Sequence, residues 1–175
     1  MRLRGWEAVL LWVNGNSMGF PSSLRKDVPM SSEARRAVVA ALIGLASSAD
    51  FRDRADAGRG LASFAETAEA RRASLDLVLD SGDTFVTRAT AEALLRRQDP
   101  AGLAVIASAL AAADPNHADW IHTAVLDVFG VFASDRDAAV RECEVLTRDP
   151  DEQVRRGAGE LIGMLAEINP VLRPA

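Results

Sequence analysis

Residues 149–163 read Asp-Pro-Asp-Glu-Gln-Val-Arg-Arg-Gly-Ala-Gly-Glu-Leu-Ile-Gly. Aspartate can cap the free backbone N–H groups at a helix start, and proline in the first turn costs no helical hydrogen bond. Small residues follow the apolar Val154 at Gly157 and Ala158, and the larger Ile162 comes eight residues after it. Small side chains let a neighbouring helix approach closely, while larger ones fill the space between helices. The stretch therefore predicts an amphipathic helix with a close-packed face.

Val154 is the last of four apolar anchor residues near the starts of helix-like segments. The anchors are Phe51, Val86, Ile121 and Val154, at intervals of 35, 35 and 33 residues. This period is the length of a two-helix unit, and each unit of such an array buries its apolar face against its neighbours. Small residues recur three or four positions after each anchor, at Ala55, Ala89, Ala124, Gly157 and Ala158. The first copy departs from the pattern at Gly58, Arg59 and Gly60, as expected of an atypical end copy.

Helical periodicity and cap residues predict an all-α chain of about eight helices. The predicted segments are 31–48, 51–66, 68–79, 84–97, 100–113, 117–132, 135–147 and 150–168. Their predicted start residues are Ser31, Asp50, Thr67, Asp83, Asp99, Asn116, Ser134 and Asp149. No stretch alternates with the period of a strand for long enough to compete with these helices.

The repeat resembles the HEAT-like repeats of bacterial proteins, a short type also seen in phycobilisome lyases. Residues 149–163 carry the clearest match, and residues 83–94 carry a second one. The third copy, from Trp120 to Ala124, lacks the arginine of the other two. The resemblance covers roughly residues 50–168. It implies a right-handed α-α superhelix of the HEAT or armadillo type, which serves mainly as a scaffold for protein binding and needs no cofactor.

Residues 1–30 differ from the rest, because they contain Trp6, Trp12, an Asn14-Gly15 turn signal and two prolines but no helical period. We expect a poorly structured N-terminal extension at 1–30, with a hairpin around Asn14 as the alternative, followed by a HEAT-like domain at 31–175. Met30 directly precedes a good helix start, so the sequence leaves open whether translation begins at Met1 or at Met30.

The net charge of −5 is unevenly distributed. Residues 1–30 carry four basic and two acidic side chains, a net of +2, and the remainder carries 16 basic and 23 acidic ones, a net of −7. A body of this charge repels phosphate chains, which disfavours nucleic-acid binding. A single cysteine excludes an internal disulfide, and no run of 18 apolar residues predicts a membrane span. We expect a cytoplasmic bacterial protein.

The repeat also predicts where a partner binds. If the anchor segments are the first helices of each hairpin, then segments 68–79, 100–113 and 135–147 are the second helices and line the concave face. An almost uncharged strip at residues 108–113 would lie between two charged rims, which suits a protein or peptide helix. The candidate partner-binding residues are Arg71, Arg72, Asp76, Asp137, Arg141, Glu144 and Arg148.

No catalytic or metal-binding constellation competes with this interpretation. The two histidines, His117 and His122, are five residues apart and point to different sides of a helix, so they do not suit a metal. Cys143 lies on an apolar helical face and is expected to be buried and inert. For Asp83 with Arg88, and Asp149 with Arg155 or Arg156, we expect the aspartate to cap a helix and the arginine to pair with an acid of the adjacent repeat.

Three functions remain open on the sequence. The first is a non-enzymatic scaffold or adaptor that binds another protein or peptide. The second is an immunity or inhibitor protein for a basic toxin, which the negative body would attract. The third is an enzyme like the HEAT-like alkylpurine DNA glycosylases, with Trp120 and Asp127 as the nearest candidate residues. The chain stops soon after its fourth anchor, so either residues 169–175 or a second subunit in an end-to-end homodimer would cover that edge.

Overall fold

A computed structural model describes residues 31–172 of the chain, and these residues form eight α-helices. The helices are α1 (Ser32–Ala46), α2 (Phe51–Ala62), α3 (Ala68–Val78), α4 (Thr84–Leu95), α5 (Pro100–Ala112), α6 (Pro115–Phe129), α7 (Ala133–Leu146) and α8 (Glu152–Glu167). The only β-type pairing of the described residues is a single bridge between Phe132 and Leu172. The all-α prediction is confirmed. The predicted extension at 1–30 lies outside the described residues.

Side-chain caps set most helix starts. Five predicted caps are confirmed, because each side chain accepts a hydrogen bond from a backbone N–H of the first turn: Ser31, Asp50, Thr67, Asp83 and Asp99. Two predicted starts were wrong by two residues, since Asp114 caps α6 in place of Asn116 and Asp151 caps α8 in place of Asp149. In both cases an aspartate directly before the helix provides the acceptor.

The helices pack in two rows. The first row places α2 against α4 and α4 against α6, and the second row places α3 against α5 and α5 against α7. Helix α1 covers the front of the array through contacts with α2 and α3. Of the four anchors, Val86, Ile121 and Val154 are buried, but Phe51 is only half-buried. The anchors occupy the first, third, seventh and third positions of their helices, so the sequence spacing does not mark equivalent points of the helices.

The last helix leaves the first row. Helix α8 makes its most extensive contact with α5 and its next with α7, whereas its contact with α6 is slight. A Cβ on Gly157 would lie 1.8 Å from the backbone oxygen of Ala107, so the two helix backbones nearly touch there. Helix α5 is consequently buried on almost every side, which explains why its sequence is apolar all round.

Two glycines of the first copy also mark close helix contacts. A Cβ on Gly58 would lie 2.0 Å from Thr90 Oγ1 of α4, and one on Gly60 would lie 2.8 Å from a methyl carbon of Leu42 in α1. These contacts give the departure of this copy from the others a packing reason. Glycine is needed at these positions because α2 is enclosed by α1, α3 and α4.

Arginines at equivalent positions of α2 and α8 bind the loops that precede these helices. Arg54 lies four residues after the cap Asp50 and donates to the carbonyls of Ser48 and Ala49, both at 3.1 Å. Arg155 lies four residues after the cap Asp151 and donates to the carbonyls of residues 149 and 150, both at 2.8 Å. The two helices therefore begin with the same local architecture, although their surroundings differ.

The C-terminal segment covers the connection between α6 and α7. Leu172 donates its backbone N–H to Val131 at 2.8 Å and accepts one from Ala133 at 2.9 Å, while Val171 donates to Gly130 at 3.1 Å. This pairing starts α7, so its predicted cap Ser134 was wrong: the N-cap is Phe132, which has no side-chain capping bond. The described part of the tail thus pairs with the α6–α7 connection. Whether the edge beyond α8 is covered by residues 169–175 or by a second subunit stays a prediction.

We predict opposite effects for alanine at two glycines of α8. Gly157→Ala should lower the free energy of unfolding by about 1–3 kcal/mol, because the new methyl group would overlap the backbone of α5. Gly163→Ala should raise it by about 0.5–1 kcal/mol, because nothing lies within 4 Å of a Cβ there and alanine is the better helix former. Urea unfolding at pH 7 measures both values, and a neutral Gly157→Ala variant would contradict the α5–α8 contact.

We also predict that Asp80 contributes to the free energy of unfolding and that this contribution is lost at acid pH. Burial acts to raise the pKa of Asp80, but hydrogen bonds from Arg54 and from the backbone N–H groups of Asp83 and Gly82 outweigh it and hold that pKa below its ordinary value. A carboxyl with a lowered folded pKa stabilises the fold above its unfolded pKa of about 3.9, and this stabilisation disappears as the pH falls through the folded value.

Asp80→Asn should therefore cost about 1–3 kcal/mol at pH 7, because the nearly buried Arg54 loses its charged partner. The variant should also lose less stability than the unmodified protein between pH 5 and pH 2. Urea unfolding across this range measures both effects. Asp76→Asn is the control, because the Asp76 carboxylate is exposed and has no hydrogen bond to a described residue. Equal pH dependence in all three proteins would refute the role of Asp80.

Candidate partner-binding surface

The seven candidate residues are exposed on two separate helices. Arg71, Arg72 and Asp76 lie on α3, and Asp137, Arg141 and Glu144 lie on α7, with Arg148 two residues beyond its end. Both helices contact α5, but they make no extensive contact with each other. The structure thus divides the candidate surface into an α3 group and an α7 group.

Four of the candidate residues are arginines without internal partners. Within residues 31–172, most arginines bind a carboxylate, a backbone carbonyl or an aromatic ring. Those whose guanidinium groups bind none of these are Arg36, Arg71, Arg72, Arg141 and Arg148. Asp76 and Glu144 likewise have no side-chain partner in this part of the chain, whereas Asp137 is 2.7 Å from Arg136.

The predicted uncharged strip between the two groups is partly covered. Ala109 and Leu110 are buried, and Ser108 turns its hydroxyl to the carbonyl of Ala104 at 2.9 Å. Arg156 of α8 donates to the carbonyl of Ala111, whereas Ala112 is exposed. Helix α8 therefore covers part of the strip at 108–113 and leaves part of it at the surface.

A second exposed feature was missed in the sequence. Phe85 is 46% exposed, and its ring meets that of Phe51 edge to face with 5.7 Å between the centroids. The guanidinium of Arg52 lies 4.5 Å from the Phe51 ring, and that of Arg59 lies 5.5 Å from the Phe85 ring. Phe85 directly precedes the buried Val86, so its helical phase points it away from the core. This phase was the signal in the sequence that could have revealed the exposure of Phe85.

Arg88 behaves as the sequence predicted. Asp83 caps α4, and Arg88 reaches Asp127 of the adjacent helix α6 at 2.6 Å and Glu92 of its own helix at 3.0 Å. Asp127 is therefore engaged in a contact between neighbouring helices of the first row. For Arg155 and Arg156 the expected pairing with an acid of the adjacent repeat was wrong, because both bind backbone carbonyls.

The side chains of His117 and Cys143 make contacts that belong to the fold. His117 contacts Asp114 at 2.8 Å and the carbonyl of Asp80 at 3.2 Å through its two ring nitrogens, and so connects α6 to the loop before α4. Cys143 is fully buried on the same helix as the buried Ala139 and Leu146, as predicted. Burial, with a contribution from Glu142, raises the pKa of the Cys143 thiol to about 12.

Residues 31–172 contain no group of three potential metal-ligating side chains. None of the helices in this described range is long and apolar enough to cross a membrane.

Comparison with known proteins leaves the family of the chain open. No family model matches it, and no curated protein matches it. A crystal structure of an engineered protein is similar to it at 25% identity, with a TM-score of 0.31, over 77% of this chain and 66% of that one. The chain thus spans just under two thirds of that engineered protein, and so low a TM-score supports no conclusion about fold or function.

We predict that Cys143 reacts only when the protein unfolds. At pH 8 a thiol with a pKa of about 12 is almost entirely protonated, and its full burial excludes the reagent. Iodoacetamide should leave the native protein unmodified by intact mass, whereas the protein in 6 M guanidinium should gain one adduct. Rapid modification without denaturant would contradict the buried position.

Proposed function

We propose that this chain is a non-enzymatic, HEAT-like α-solenoid protein that binds another protein through the charged residues of α3 and α7. The successive contacts α2–α4–α6 and α3–α5–α7 support a short right-handed superhelix up to α7. The matching arginines of α2 and α8, which bind their preceding loops in the same way, support a repeated origin of these helices.

The main support is the position of the unpaired arginines. Four of the five arginines without a described partner belong to the α3 and α7 groups, while arginines elsewhere are engaged in contacts between helices and loops. An exposed guanidinium offers five donors in a fixed geometry, and arginine is enriched at protein interfaces. These side chains are free to meet carboxylates of a partner.

The charges of this surface indicate the character of the partner. The charged groups on and beside α3 and α7 whose side chains form neither a hydrogen bond nor an ion pair with a described residue are Arg71, Arg72, Arg141 and Arg148 against Glu69, Asp76, Glu142 and Glu144. The two signs therefore balance on this surface, although the body has a net charge of −7. A partner segment that carries charges of both signs would complement it.

The proposed surface has two contact groups instead of one continuous groove. Helix α8 covers most of α5, so a partner would engage α3 and α7 as separate groups. Each group alone is small, and specific interfaces usually cover about 800 Å² on each partner. We therefore expect binding to require both groups.

Charge reversal tests this proposal. Arg71→Glu with Arg72→Glu on α3, and Arg141→Glu on α7, should each weaken partner binding by about tenfold or more, because each substitution removes a guanidinium donor and places a carboxylate where a carboxylate of the partner would bind. The fold should persist, because all three arginines are exposed. Arg36→Glu is the matched control, since Arg36 is the remaining unpaired arginine and lies on α1.

The measurement is quantitative affinity capture from a lysate of the source cells at two salt concentrations, with circular dichroism to confirm folding. Proteins that are captured by the unmodified chain and the Arg36→Glu control, but lost with both charge-reversal variants, would support the surface. An unchanged set of captured proteins would refute it, and capture that increases with added salt would refute its electrostatic character.

A further inference from the structure

A groove lies at the front of the array, between α1 and the start of α3. Its volume is about 210 Å³, and its walls are Arg35, Arg36, Val39, Ala40 and Ile43 from α1 together with Thr67 and Glu69 from α3. The apolar residues come from successive turns of α1, so the groove runs along this helix. Among the described helices, α1 packs against α2 and α3, and the groove lies where α1 passes the start of α3.

The rim of the groove carries one paired arginine and two charged residues with no side-chain partner among the described residues. Arg35 is 2.7 Å from Glu66, and its guanidinium lies 5.6 Å from the centre of the Phe64 ring. Arg36 and Glu69 have no side-chain partner in the described part of the chain. An apolar strip with one free cation and one free anion at its edge suits an apolar segment that carries charges of both signs.

We propose that the apolar segment 6–13 of the same chain binds in this groove and covers the front end of the array. The segment reads Trp-Glu-Ala-Val-Leu-Leu-Trp-Val and follows Arg2 and Arg4. Its tryptophans and aliphatic side chains match the apolar wall. Glu7 is available to Arg36, and the preceding arginines are available to Glu69.

Position and charge favour this occupant. Residue 30 immediately precedes the cap of α1, so the chain enters the structure at the end of α1 where Arg35 and Arg36 lie. The 17 residues between Val13 and Ser31 can span about 55 Å, whereas the 15 residues of α1 cover about 22 Å. The net charge of +2 on residues 1–30 also complements the −7 of the remainder.

The covalent connection between segment 6–13 and α1 adds to the affinity of this segment for the groove. A tethered segment meets its site at an effective concentration of the order of millimolar, so even a weak contact is occupied. Repeat arrays generally need an end unit that covers the apolar face of the first repeat. Segment 6–13 would provide this covering without a second chain.

Hydrogen exchange of the full chain tests the proposal. Backbone amides of residues 6–13 should exchange about tenfold or more slowly than expected for an exposed peptide of the same sequence. Ala40→Arg, which places a long cation in the groove, should remove this protection. Ala41→Arg is the matched control: Ala41 is exposed on the same helix but does not line the groove, so protection should remain.

Each result bears on the proposal. Protection that is lost in Ala40→Arg, retained in Ala41→Arg and independent of protein concentration supports binding within one chain. Fast exchange of residues 6–13 in the unmodified protein overturns the proposal, and so does protection that persists in Ala40→Arg. Protection that increases with concentration assigns the groove to a second copy instead. Circular dichroism shows whether the variants fold, and partner capture through Arg71, Arg72 and Arg141 is a separate measurement.

Discussion

The close contact between α5 and α8 organises this molecule. Because Gly157 has no side chain, α8 can approach the backbone of α5 at Ala107, and the two helices bury each other along their length. This contact draws the fourth anchor helix out of the first row and encloses α5 in the middle of the fold. It also covers part of the uncharged strip at residues 108–113 between α3 and α7. A pair of backbones at this distance tolerates almost no added volume.

The arginines of the described residues form two groups. One group binds other residues of the fold, and the other lies on the surface without a partner among the described residues. Arg54 joins the start of α2 to Asp80, and Arg88 joins α4 to α6. Arg97 reaches the carbonyl of Ala62 at 2.8 Å and so joins the end of α4 to that of α2. These contacts connect helices through charged hydrogen bonds at partly exposed positions, where the cost of burying the charge is small. Arg71 and Arg72 of α3 and Arg141 of α7 make no such contact with a described residue.

The two ends of the described array are treated differently. At the back, Val171 and Leu172 form backbone hydrogen bonds with residues 130–133, so the tail is held against the α6–α7 connection. At the front, α1 contributes an apolar groove, and the proposed occupant is the positively charged segment that precedes it. A protein built in this way would satisfy both ends within one chain and keep α3 and α7 available for a partner.

The sequence alone determined the helical class, five helix caps, the burial of three anchors and the pairing of Arg88 with a neighbouring helix. These features depend on local rules, since a cap residue acts within one turn and helical periodicity selects the buried face. The seven candidate residues are exposed, and their partner-binding role is still a proposal.

Only the tertiary structure decided that α8 packs against α5, that Gly58 and Gly60 are contact points, and that Phe51 lies at the surface against Phe85. The period of the anchors could not reveal these contacts, because a repeat in sequence specifies how often a unit occurs and not which neighbour it meets. Helix pairing depends on the shapes of two surfaces brought together from distant parts of the chain, and that complementarity exists only once the chain is folded.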